Sequence, residues 1–358
     1  MWPSNKKIRV LVVDDSVLAR TLISNGLNAS PRIEVVGTAF NAKDARTKID
    51  QVKPDVMTLD VEMPGMNGID FLKQLLPVVP LPVILVSSLD LRVFDALQAG
   101  AVDFVRKPTS DDTQAAFITA LAQKVLVASM SRVRVSPSSA AASAAGAAVA
   151  ATTPSGPAGL LGASPALNSV VIGLGASTGG TEATLEVMKR LPADIPPMVI
   201  VQHMPKGFTE MYANRLNNLC QMEVREAKNG DELRRGLALV APADLQARIV
   251  RIGDKYTVSC TPGEKVSGHR PSVDALFQSM SEVVRCKMVG IIMTGMGQDG
   301  AAGLLEMRKK GAYTIGQDKE SCVVYGMPMV ANDIGAVCIQ ASCDNVANVL
   351  IRHLKTLH

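Results

Sequence analysis

The segment GLGASTGGTE (173–182) sets Ser177 among small residues, between an apolar run and a stretch with helical spacing. Small neighbours let the backbone bend sharply and let a carbonyl carbon approach the hydroxyl. That hydroxyl would sit at a helix N-terminus, where free N–H groups favour developing negative charge. A serine needs a base. His203 ends the apolar run MVIVQH (198–203) and should emerge at the same sheet edge as Ser177. His269, in SGHRPS before a further helix, is a rival base. A base needs an orienting acid, and Asp299 in TGMGQDGAAG (294–303) follows another apolar run, MVGIIMTG. The glycines around it allow close backbone approach, so the Met296 N–H is a candidate oxyanion donor.

Each of these residues also has a plainer reading. Ser177 or Thr178 can cap the helix that follows, and Asp299 can cap the next one. A lone histidine is usually a satisfied polar residue. A dinucleotide loop is a further alternative, since Gly173 and Gly175 fit the start of G-x-G-x-x-G. Thr178 stands where the third glycine belongs, and no acid closes the second strand.

A second set of chemical residues lies before position 110. Asp14 and Asp15 end IRVLVV, Asp60 ends DVMTLD, Ser87 ends PVILVS, and Lys107 follows AVDFV. In a parallel sheet such strand tips lie side by side. Three carboxylates in one place repel and require a divalent cation, and oxygen ligands suit Mg²⁺. Asp60, beside a metal and a lysine, is suited to attack a phosphoryl group, with Lys107 and the Ser87 hydroxyl holding the transferred oxygens. A single acidic residue after a strand is ordinarily a solvated turn residue; the matched set argues for more.

These residues need strand ends to hold them, and the chain supplies them twice. Over 6–130 apolar runs alternate with helical stretches five times, which predicts a doubly wound parallel sheet. Over 169–358 the same grammar recurs, with LALVAP, ARIVRI and YTVSC as shorter strands of an antiparallel excursion. Between them, 131–168 reads as a flexible linker: of the 33 residues 136–168, 28 are Ala, Ser, Gly, Pro or Thr and none is charged, so ordering entropy has little to offset it. The fold class is therefore α/β, with two doubly wound, mostly parallel-sheet domains.

Composition narrows the function. The 358 residues carry a net charge of only +4, of which +2 falls over 169–358, and aromatics make up 3%. That argues against phosphate-driven or stacking-driven nucleic-acid binding, and so against a DNA-binding output. No apolar run is long enough to span a bilayer, the start lacks a signal peptide, and no cysteine pair has metal or redox spacing. The expectation is a cytoplasmic protein without membrane insertion.

VLVVDDS, LDVEMPGMNG (59–68), VSSL (86–89) and KP (107–108) resemble a response-regulator receiver domain. The resemblance implies that Asp60 is the phosphoacceptor and that a histidine kinase is the phosphodonor. It further implies that Asp15, Asp60 and the Glu62 carbonyl bind Mg²⁺, with Asp14 acting through water, and that Ser87 and Lys107 are switch residues. Asn67 stands where Asp is common. GLGASTGGTE, VQHMPKGFT, SGHRPSVDALF, TGMGQDGAAGL and QDKESCVVYGMP (317–328) resemble the catalytic domain of chemotaxis protein-glutamate methylesterases. That resemblance implies a Ser177 nucleophile, a His203 base, an Asp299 orienter and a Met296 oxyanion donor, with His269 near the site. It also implies demethylation of glutamate methyl esters on chemotaxis receptors, deamidation of receptor glutamines, no cofactor for the ester chemistry, and inhibition by the unphosphorylated receiver. The alternative is a receiver with a non-enzymatic DNA-binding or nucleotide-binding output. The linker is longer and richer in alanine than the family leads one to expect.

Overall fold

Runs of Val, Ile and Leu too short for helices become strands, and in a sheet covered on both faces they need not alternate with polar residues. A computed structural model describes residues 6–88, 92–109, 113–131, 167 and 169–357. They fall into two units, one before residue 150 and one after it. The linker expected over 131–168 lies, residues 131 and 167 apart, outside the described residues.

The first unit runs β1 (Ile8–Val13), α1 (Val17–Asn28), β2 (Ile33–Ala39), α2 (Ala42–Val52), β3 (Val56–Asp60), α3 (Gly68–Leu75), β4 (Val83–Ser87), α4 (Arg92–Gln98), β5 (Asp103–Arg106) and α5 (Gln114–Ala128). Its sheet is parallel in the order β2-β1-β3-β4-β5. Every residue of β3 and β4 is buried, including Thr58, Asp60 and Ser87, which explains why the two strands are otherwise apolar throughout. The chain reverses direction across the sheet between β1 and β3, so the crevice beyond their carboxyl ends is the natural site. Asn67 caps α3 by accepting the Asp70 N–H at 2.9 Å. Asn and Asp cap equally well, so the unusual residue costs nothing there.

The second unit runs β6 (Val170–Ala176), α6 (Gly180–Met188), β7 (Met198–Gln202), α7 (Phe208–Leu219), β8 (Glu223–Glu226), β9 (Asp231–Glu232), β10 (Leu237–Val240), β11 (Gln246–Ile252), β12 (Lys255–Thr261), α8 (Val273–Val283), β13 (Lys287–Ile292), α9 (Ala301–Lys309), β14 (Tyr313–Gln317), α10 (Met327–Asp333), β15 (Ile339–Ala341) and α11 (Val346–Lys355). Seven strands form one parallel sheet in the order β15-β14-β13-β6-β7-β10-β8. The antiparallel excursion is the separate three-stranded sheet β11-β12-β9. LALV belongs to the parallel sheet instead, because its four residues are fully buried and pair with β7 and β8.

Gly173 and Gly175 serve packing. A Cβ on Gly173 would lie 2.6 Å from Met280 Sδ, and one on Gly175 would lie 2.2 Å from Val273 Cγ1. The two glycines let α8 settle against β6, and this accounts for the spacing that imitates a dinucleotide loop. The strand order reverses at β6, with β7 on one side and β13 on the other. The loops after these three strands therefore meet at one crevice.

Candidate active site

Ser177 follows β6 directly. Its N–H donates to the Thr294 carbonyl at 3.0 Å, which ties it to the loop after β13. On the other side the His203 N–H donates to the Ala176 carbonyl at 3.1 Å, extending the β6–β7 pairing by one step. Parallel register thus sets the serine and the histidine next to each other.

Asp299 Oδ2 lies 2.8 Å from His203 Nε2. The carboxylate is 2% exposed and also accepts the Ser272 hydroxyl at 2.7 Å and the N–H groups of Val273 and Asp274 at 2.8 and 2.9 Å. It therefore sits at the N-terminus of α8, whose dipole favours the negative charge. Burial acts to raise its pKa, but the hydrogen bond and charge of His203, then the Asp274 N–H and the Ser272 hydroxyl, hold it below the usual carboxylate range. A carboxylate with a depressed folded pKa stabilises the fold above its unfolded value of about 3.9 and loses that contribution as pH falls through the folded value. Thermal melts of the second unit should lose stability on acidification below about pH 4, and Asp299→Asn should flatten that limb.

The hydrogen bond also fixes the imidazole. With Nε2–H donating to an ionised Asp299, Nδ1 carries the lone pair. That Nδ1 is buried and has no partner. The Ser177 hydroxyl makes no hydrogen bond among the described residues. His269 does not bond Asp299; its ring stacks on His203 with centroids 3.8 Å apart and planes 9° apart. Ser267 and Gly268, both with positive φ, form the turn that presents it.

The Met296 N–H has no partner among the described residues, whereas the Ser177 N–H is already committed to Thr294. Thr294 connects this loop further: its hydroxyl donates to the Thr178 carbonyl at 3.0 Å and accepts the Val324 N–H at 3.0 Å. A Cβ on Gly326 would fall 2.7 Å from the Gly295 carbonyl oxygen and 3.1 Å from Met296 Cα, so only glycine allows this approach. Thr294, Gly326 and Gln202 were not singled out from sequence. Their signal was only that each lies inside a glycine-rich or strand-end motif.

In the first unit, Asp14 follows β1 and Asp60 ends β3, at the switch point. Lys107 Nζ lies 2.7 Å from Asp60 Oδ2 and 2.9 Å from Asp14 Oδ2. Asp15 is exposed, yet carboxylate oxygens of Asp14, Asp15 and Asp60 come within 4.8 Å of one another. Ser87 Oγ is buried without a partner among the described residues. The Glu62 N–H donates to Asp60 Oδ1 at 3.2 Å, while its side chain turns away to Arg92 at 2.6 Å. Burial pushes the Asp60 pKa up in spite of Lys107. Burial alone would lower Lys107, but Asp60 and then Asp14 raise it. Oxygen-only donors around one lysine fit a Mg²⁺ ion. Because its folded pKa is raised, ionised Asp60 costs stability above that value.

Fold and sites together define a two-domain response regulator, a receiver followed by a parallel α/β output domain. The response regulator receiver family matches residues 10–119, and the CheB methylesterase family matches residues 172–350. The chain belongs to the CheB methylesterase family. It is 48% identical to the protein-glutamate methylesterase/protein-glutamine glutaminase 2 of Syntrophomonas wolfei subsp. wolfei, over 98% of this chain and 99% of that one. It is 47% identical to the protein-glutamate methylesterase/protein-glutamine glutaminase of Syntrophotalea carbinolica, over 96% of each. The Thermotoga maritima CheB methylesterase catalytic domain is similar in structure, with a TM-score of 0.50, 33% identity, and coverage of 51% of this chain and 97% of that one. These relatives do not support the alternative of a DNA-binding or nucleotide-binding output.

Proposed function

We propose that the chain is a phosphorylation-activated hydrolase that demethylates glutamate 5-O-methyl esters on chemotaxis receptors and deamidates receptor glutamines. The observation that carries the reading is the buried Asp299–His203 pair, with Nδ1 left without a partner among the described residues and Ser177 at the end of the neighbouring strand. Ser177 Oγ attacks the ester carbonyl carbon and passes its proton to His203 Nδ1. The oxyanion is held by the Met296 N–H, a type of contact worth roughly 10²–10³ in kcat. As the tetrahedral species collapses, His203 returns the proton to the departing methoxide and methanol leaves. Water, deprotonated by the same imidazole, then attacks the acyl-serine; the imidazolium returns the proton to Ser177 Oγ as the acyl C–O bond breaks, and the released glutamic acid ionises to the carboxylate. With a glutamine the leaving group is ammonia.

Control enters through the receiver. Asp60 takes a phosphoryl group from a histidine kinase, while Lys107 and Ser87 hold the transferred oxygens. Asp14, Asp15 and Asp60, with the Glu62 carbonyl, are the residues that would hold Mg²⁺, which neutralises charge on the transferring phosphoryl group. Phosphorylation shifts a two-state population toward the active arrangement. No helix among the described residues is long and apolar enough to cross a membrane. The proposed enzyme is cytoplasmic and acts on the receptors' cytoplasmic portions. The domain limits we propose are 6–130 for the receiver and 169–358 for the catalytic domain, with 131–168 as linker.

Methanol release from methylated receptor membranes tests the proposal. The full chain should respond to acetyl phosphate and Mg²⁺, and Asp60→Asn should keep the basal rate but lose the response. An Asp60→Asn variant still activated by acetyl phosphate would place the switch elsewhere.

A further inference from the structure

Gln202 ends β7, immediately before His203, and is 2% exposed. Its Nε2 donates to the Ser177 carbonyl at 2.8 Å and to the His203 carbonyl at 3.2 Å. Turning the amide over would set its oxygen against both carbonyl oxygens, so the orientation is dictated by the acceptors. The consequence is a buried Oε1 with no partner. It is packed against α6, where a Cβ on Gly180 would come within 2.4 Å of it. A buried acceptor without a donor costs stability, and an apolar side chain of the same shape would remove that cost. The amide therefore needs a reason to be there.

The reason lies in what its two acceptors are. One carbonyl belongs to the residue that carries the hydroxyl, and the other to the residue that carries the imidazole. The Ser177 carbonyl has a second donor, the Gly180 N–H at 2.8 Å, but Gln202 is the donor that reaches both residues. We infer that Gln202 is a positioning residue that ties the Ser177 backbone to the His203 backbone and so sets where the hydroxyl stands relative to the imidazole. The inference rests on the hydrolase reading proposed above. A misplacement of about 1 Å between such groups can cost roughly 10²-fold in rate, so the effect belongs in kcat.

The test compares Gln202→Met and Gln202→Glu in the full chain, with acetyl phosphate, by methanol release from methylated receptor membranes across pH. Gln202→Met keeps the shape and removes both donors. Its kcat should fall roughly 10–100-fold, with KM within about threefold of wild type. Gln202→Glu regains one O–H donor when its carboxyl is protonated. Its activity relative to wild type should be restored in part at low pH and fall as that proton is lost, a limb absent from Gln202→Met. A folded Gln202→Met enzyme with kcat within threefold of wild type overturns the assignment. A Gln202→Glu profile that runs parallel to wild type overturns it as well, and decides the matter alone where Gln202→Met fails to fold. Wild-type chain that releases no methanol overturns instead the hydrolase reading beneath it.

Discussion

Ser177→Ala is expected to lower kcat for methanol release by roughly 10⁴–10⁶-fold while leaving the fold intact. The side chain makes no hydrogen bond that the fold depends on; only the backbone N–H and carbonyl of Ser177 are engaged. Alanine keeps both. Binding of the receptor segment and the Met296 N–H survive, so a residual rate above that of water remains. KM should change little, because the missing bond forms only in the transition state. Undiminished methanol release by the variant would remove Ser177 from the mechanism.

Asp299→Asn is expected to cost roughly 10⁴-fold in kcat. Asp299 accepts four hydrogen bonds, from His203 Nε2, the Ser272 hydroxyl and two N–H groups of α8. An amide offers one acceptor oxygen and must aim its NH₂ at donors. An oxygen at the Oδ1 position keeps the Ser272 hydroxyl and the Asp274 N–H, which leaves the NH₂ at the Oδ2 position facing Nε2 and the Val273 N–H. The imidazole then accepts at Nε2 and carries its proton on Nδ1, the wrong tautomer for deprotonating Ser177. Activity should recover only modestly with rising pH. An Asp299→Asn enzyme within tenfold of wild type would show that the carboxylate does not set the tautomer.

Much of this was legible in the chain, for a physical reason. A sheet buried on both faces writes its strands as unbroken apolar runs, and doubly wound topology gathers whatever follows them. Ser177, His203, Asp299, Asp14, Asp60 and Lys107 all stand at such ends, so reading the runs located the residues. Less legible was anything that depends on a second segment. The spacing GLG suggested a cofactor loop because a sequence does not say that Val273 and Met280 press on it from 100 residues away. Asp299 was weighed as a cap for its own following helix, yet Gly300 is the N-cap of α9 and Asp299 serves the N-terminus of α8. Local spacing could not distinguish the two. Nor could it tell that Nε2 rather than Nδ1 faces the acid, since ring orientation follows from where the strand delivers the side chain. EVRE at 223–226 carries no strand signal in the sequence, because it lies at the sheet edge and only one of its residues is buried. Gln202 read as part of an apolar run, its role visible only once two carbonyls were found beside its amide.

The proposed chemistry rests on one hydroxyl made nucleophilic by one imidazole. The most direct measurement is covalent labelling of the full chain with a phosphonylating reagent, followed by peptide mapping. One adduct per chain on the peptide carrying Ser177, formed by wild type and not by His203→Ala, is the predicted result. An adduct on a different residue, or inactivation with no adduct at Ser177, would contradict it.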